Sequence, residues 1–213
     1  MQTRALTRLA SLPRDSRDTL FLLAVIGWIV LPQAARLPLW CTALVALVLA
    51  WRGRLAWRSD PLPRPMWLLG LLAVTLSATA FSHGTLLGRD AGVTLIVVLL
   101  ALKTLELRAR RDAFVIFFLG FFTLLTNFFF SQSLAIAAAM VVGLWGLLTA
   151  LVNAHKPVGR PPLWDSARTA GAMALMGAPI MLVLFLLFPR FGPLWGIPAD
   201  GLSGRRGLRA IKE

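Results

Sequence analysis

The chain has 213 residues, of which 58% are hydrophobic and only 15% charged, so it is far more apolar than an ordinary soluble domain. It carries a formal net charge of +13. That charge falls in short bursts between apolar runs rather than on one basic face beside exposed aromatics, a placement that excludes a nucleic-acid partner and points to a chain counted in membrane spans of roughly 20 residues.

The first predicted span, Thr19 to Ala35, follows a basic segment holding Arg4, Arg8, Arg14 and Arg17. A cleaved signal peptide is the rival reading, but Pro32 and Gln33 make a poor cleavage site and further spans follow at once. The second span, Leu37 to Trp51, is short, with Arg36 and Arg52 placed to snorkel to the two interfaces and Trp40 and Trp51 where aromatic belts form. Pro32 and Pro38 mark the turn of a helical hairpin. The third span, Pro65 to Phe81, opens with proline at a first helical turn.

The fourth run, Ala91 to Leu107, has a charge-free part of only about a dozen residues, a length typical of an interfacial or re-entrant piece, with Lys103 and Glu106 in its last turn. The fifth and sixth spans share the uncharged stretch Ala113 to Ala154, broken by the polar string Asn127 to Ser133, and read as a hairpin. The seventh, Thr169 to Phe188, carries Gly177 and Pro179 where they would kink it.

Lys and Arg counts alternate from loop to loop. Four arginines precede the first span; Arg36 alone follows it; then come Arg52, Arg54, Arg58 and Arg64; then Arg89 alone; then Lys103, Arg108, Arg110 and Arg111; then none; then Lys156, Arg160 and Arg168. The alternation breaks unless the fourth run crosses. The predicted architecture is therefore all-α: a polytopic helical membrane bundle of about seven transmembrane helices over residues 1–188, with the N-terminus in the cytoplasm. A Gly- and Pro-rich tail, residues 189–213, is expected outside, although its Arg190, Arg205, Arg206, Arg209 and Lys212 run against the positive-inside trend.

Few residues carry chemistry. Lys103, Glu106 and Arg110 share a helix face at offsets of three and four, which marks them as a possible ionic cluster, either a juxtamembrane structural pair or a binding and coupling site. Ala135, Ala139 and Gly143 form a small-residue stripe for helix packing, with the seventh span as its expected partner. The phenylalanines of the fifth span wrap most of its circumference and read as lipid-facing or packing surface rather than a cofactor box. His83 and His155 fall at opposite ends of the predicted bundle, which excludes a shared metal site. The lone Cys41 sits in an apolar run with no His or cation nearby, and reads as a small hydrophobe rather than a nucleophile. No catalytic, cofactor-binding or metal site is expected.

Several stretches resemble a known family. ALKTLELRARRDAF (Ala101 to Phe114), FPRFGPLWGIPADGLSGRRGL (Phe188 to Leu208), SHGTLLGRDAG, and the Gln132 and Ser133 that open the sixth span are similar to the N-terminal membrane domain of the TgpA-type bacterial transglutaminase-like proteins. The resemblance covers nearly the whole chain. It implies an inner-membrane domain followed by a periplasmic transglutaminase-like domain with a Cys, His and Asp triad, and then a final anchor helix. None of that triad maps onto this sequence, which closes in RAIKE where the family continues. The expectation is a membrane anchor or scaffold, not itself an enzyme, from a truncated or frame-shifted gene, a fragment or a stand-alone membrane module. Its partners would be the lipid bilayer and a periplasmic transglutaminase-like domain or other membrane proteins. A small transporter or lipid-handling protein using the ionic cluster is the alternative.

Overall fold

The computed structural model describes residues 13–58, 60–63, 65–84, 88–107, 110–131, 133–156 and 162–187. The tail 189–213 and Gln132 lie outside the described residues, as do the side chains of His83 and Arg110. The described residues form seven α-helices and no strand: α1 (Arg14–Val30), α2 (Leu39–Arg58), α3 (Pro65–His83), α4 (Arg89–Glu106), α5 (Arg110–Thr126), α6 (Leu134–His155) and α7 (Leu163–Leu187). Among the described residues, four segments are long and apolar enough to cross a membrane: Leu39–Arg58, Asp112–Phe129, Leu134–His155 and Leu163–Leu184.

Local chemistry sets the helix ends. Proline at position 13 precedes α1, and Pro65 opens α3, where a missing N–H costs nothing. Gly84, just past α3, has φ +67°, the left-handed geometry that ends many helices and that a Cβ would strain. Ser133 caps α6, its hydroxyl accepting from the Ile136 N–H at 3.3 Å. The polar string between the fifth and sixth spans thus contains a short 3-10 turn, Asn127–Phe129, and a helix cap.

The chain divides into two compact units, Met1–Ala174 and Leu175–Glu213. In the first, α1 packs on α2, α5 and α6, while α4 packs on α2, α3 and α5. The helix with the short charge-free run is a central one: ten of the 18 residues of α4 are buried, among them Val97, Val98, Leu100 and Leu105. A short charge-free core is compatible with that position, since a helix packed on three neighbours presents only part of its surface outward, at Leu99 for example. In the second unit, the described part of α7 runs through Pro179 without a break in the helix, and Met176, Met181 and Leu187 are exposed.

Two glycines let α1 and α6 approach closely. A Cβ on Gly143 would stand 3.0 Å from Ile29 Cγ1, and one on Gly146 would stand 2.8 Å from Val25 Cγ2. The Trp28 indole N–H donates to the Ala139 carbonyl at 2.9 Å. As α6 is followed from Ala139 to Asn153, its contacts on α1 run back from Trp28 to Arg14, so the two helices are antiparallel. This corrects the expected partner of the small-residue stripe. Ala139 and Gly143 face α1, Ala135 is exposed, and α7 meets α6 elsewhere, through Trp145 to the Ala167 carbonyl (2.9 Å) and Ser166 to Asn153 (3.2 Å).

The contact at Gly146 involves the branched end of a valine, which has little room to turn. Gly146→Ala is expected to destabilise the bundle by about 1–3 kcal/mol, the usual range for overpacking. Gly92→Ala, where a Cβ meets nothing within 4 Å, is expected to be neutral or stabilising. Melting temperatures of the two variants in one detergent check the difference.

Candidate functional site

Polar side chains concentrate at the two ends of the bundle, and at each end they answer the same need. The last carbonyls of a helix have no N–H partner within it, and a carbonyl left unpaired in apolar surroundings is costly. At one end, Arg14 on α1 donates to the Asn153 and Lys156 carbonyls at the end of α6, at 3.0 and 2.8 Å. Arg52 on α2 donates through Nε to the Thr104 carbonyl in the last turn of α4, at 3.0 Å. At the other end, the Asn127 amide donates to the Ile29 carbonyl of α1 (3.2 Å) and to the Thr123 carbonyl (3.0 Å). The Thr126 hydroxyl reaches Gln33 Oε1 at 3.3 Å, and both side chains are buried. Beyond them, Arg36 donates to the Phe130 carbonyl at 2.5 Å and Arg89 to the Phe129 carbonyl at 3.4 Å. Both guanidinium groups also lie over the Phe130 ring, 5.6 and 5.0 Å from its centre.

Arg52 departs from its expected role as a snorkelling interfacial residue. The second helix continues to Arg58, and Arg52 is only 7% exposed. It makes no ion pair among the described residues; its one hydrogen bond there is the carbonyl contact. It lines a cavity of about 660 Å³ together with Arg14, Asp15, Asp18 and Lys156, while Phe21, Leu107 and Phe117 supply apolar wall. Asp18 is already engaged, 3.5 Å from Arg14 and 3.0 Å from Arg17. A second, apolar cavity of about 420 Å³ lies between α1, α6 and the start of α7, walled by Trp28, Trp145 and Trp164.

In the predicted ionic cluster, Lys103 Nζ is 2.8 Å from Glu106 and 4.0 Å from Asp112. Lys103 therefore links the last turn of α4 to the first turn of α5, with a contact at Asp112 that helix spacing alone did not indicate. Glu106 is about half exposed. Cys41 is fully buried, and His155 packs edge-on against Phe114 with its Nδ1 2.8 Å from the Leu151 carbonyl. Among the described residues, no three His, Cys, Asp or Glu side chains come together to hold a metal ion.

Helices of membrane-crossing length, buried hydroxyls bonded to their own helix backbone, and helix ends capped from neighbouring helices define the chain as an all-α bundle suited to a bilayer. More particularly, the chain belongs to the TgpA N-terminal domain family, whose model matches residues 21–210. A relative, the protein-glutamine gamma-glutamyltransferase of Pseudomonas aeruginosa, is 36% identical over 180 residues. The match takes in 84% of this chain and 27% of that relative, so the chain spans about a quarter of the relative's length. No solved structure matches the chain.

Two outcomes separate the buried polar contacts from the surface ones. Asn127→Ala leaves the Ile29 carbonyl without its donor and is expected to cost about 1–3 kcal/mol. Glu106→Gln removes an exposed ion pair and is expected to cost about 1 kcal/mol or less. Thermal unfolding of both variants, read by circular dichroism in detergent, checks the order.

Proposed function

We propose that this chain is a membrane anchor and scaffold that crosses the bacterial inner membrane seven times and positions a transglutaminase-like domain on its outer side. The observation that carries the reading is the family match over residues 21–210, joined to four helices of membrane-crossing length and composition. The relative is a protein-glutamine gamma-glutamyltransferase of which this chain matches about a quarter, and the lone, buried Cys41 favours placing acyl-transfer chemistry in the remainder. In this reading Lys103 clamps the α4–α5 turn rather than a substrate, and the stripe at Ala139 and Gly143 serves helix packing. The tail after Phe188 leads toward the outer domain.

Seven crossings require α4 to span. An 18-residue helix rises about 27 Å, close to the roughly 30 Å hydrocarbon core. Its place at the centre of the bundle supports a full crossing, because a buried helix can carry Thr94 and Thr104 with their hydroxyls returned to its own backbone. The alternating Lys and Arg counts give the orientation, N-terminus inside and C-terminus outside.

Single-cysteine variants in a Cys41→Ala background, exposed in whole cells to an impermeant thiol reagent, test the topology. Position 200 is expected to label, and positions 58, 110 and 160 to stay protected. Labelling at 110 would show that α4 does not cross. The purified chain is expected to show no amine incorporation into a glutamine substrate, because its one cysteine is buried among apolar side chains with no base beside it. Activity abolished by Cys41→Ser would overturn that part.

A further inference from the structure

The cavity beside Arg52 has a charge arrangement that helix packing does not explain. We propose that it binds the phosphate of an anionic membrane lipid, with the Arg52 guanidinium as the main contact, Lys156 as a second cation, and the lipid chains along Phe21, Leu107 and Phe117.

Three observations converge. Arg52 is more than nine-tenths buried, yet only its Nε is engaged, by the Thr104 carbonyl. No buried side-chain nitrogen or oxygen lacks a partner among the described residues, so the two terminal nitrogens of Arg52 are the atoms left accessible to the cavity it lines. A buried guanidinium without a counter-ion is unfavourable, and the nearby acids do not supply one. Asp18 pairs with Arg14 and Arg17, and Asp15 is exposed in the first turn of α1, where the helix dipole already favours its charge. The missing partner is thus an anion from outside the chain, and the planar fork of two N–H groups suits a phosphate.

The rest of the lining selects an amphiphile. About 660 Å³ is within the usual range for a ligand pocket, and its wall is mixed, with three cations and the carboxylates of Asp15 and Asp18 beside phenylalanine and leucine. A soluble phosphate would leave the apolar wall unused. The site lies at the bundle end that carries Arg14, Arg52 and Lys156, which the charge count assigns to the cytoplasmic side, where anionic headgroups line the membrane surface. The inference rests on the membrane placement proposed above.

The test uses the full chain, purified in detergent and stripped of lipid, and follows its melting temperature during titration with three probes. Phosphatidylglycerol is expected to raise it; diacylglycerol with the same chains, and inorganic phosphate, are not. Arg52→Gln should weaken the apparent affinity for phosphatidylglycerol roughly tenfold, as loss of a charge-assisted hydrogen bond does, and Lys156→Gln less. Arg36→Gln, at the opposite end, should leave it unchanged. Should Arg52→Gln fail to fold for want of the Thr104 contact, Lys156→Gln and Arg52→Lys carry the test. An equal shift with diacylglycerol, or unchanged affinity in the folded variants, overturns the site. An equal shift with inorganic phosphate overturns the lipid as its source. Carbonate extraction of membranes separates the two readings: a chain that stays in the membrane without a phosphatidylglycerol effect overturns the site alone, and a chain released by carbonate overturns the anchoring reading with it.

Discussion

The carbonyl groups at the ends of the helices impose the constraint from which the arrangement of this bundle follows. A helix satisfies its own backbone except for the N–H groups of its first turn and the carbonyls of its last, and in an apolar setting water is not there to finish the task. This chain finishes it with side chains from other helices. Arg14 closes the end of α6, Arg52 the end of α4, and Asn127 the end of α1. Each contact spans at least 50 residues of sequence, so each also fixes which helices are neighbours and at what height they meet. Where the donor is an arginine, its positive charge faces the negative end of the helix dipole, which adds to the hydrogen bond.

Close packing then fills in between the capped ends. Gly143 and Gly146 let α1 approach α6 until valine and isoleucine side chains touch backbone, which supplies attraction that the hydrophobic effect does not provide between helices in lipid. Gly120 does the same for Leu147, where a Cβ would stand 3.1 Å from the leucine Cδ2. The central helix, α4, needs no glycine of this kind. It packs on α2, α3 and α5 through buried valines, leucines and alanines, and Gly92 within it faces open space.

All seven helical segments were legible in the sequence, because apolar runs and their breaks depend on local composition. The hairpin turn at Asn127 to Ser133 was legible for the same reason. The partner of the small-residue stripe was not, since spacing along one helix says which residues share a face but not which helix lies opposite. Gly146 went unnoticed because it falls three residues from Gly143 and not on the four-residue repeat, although both offsets return to one helical face. The reading of Arg52 erred at a boundary. Two further helical turns, RGRLAWR, carry α2 past the point where its hydropathy ends, and this draws Arg52 inside the bundle. The Lys103 and Glu106 pair was visible from its spacing, whereas Asp112 lies across a turn and enters only through the fold.

The double engagement of Phe130 has a mechanical consequence. Arg36 comes from the turn between α1 and α2, Arg89 from the start of α4, and Phe130 from the turn between α5 and α6. Two turns and a helix start are thereby joined at a single ring and its adjoining carbonyls. A guanidinium sliding over a ring permits small rotations, while a hydrogen bond to a carbonyl limits separation, so the joint yields to tilt and resists pulling. Tension on any one of these three segments is thereby passed, through the Phe130 ring and its adjoining carbonyls, to the other two.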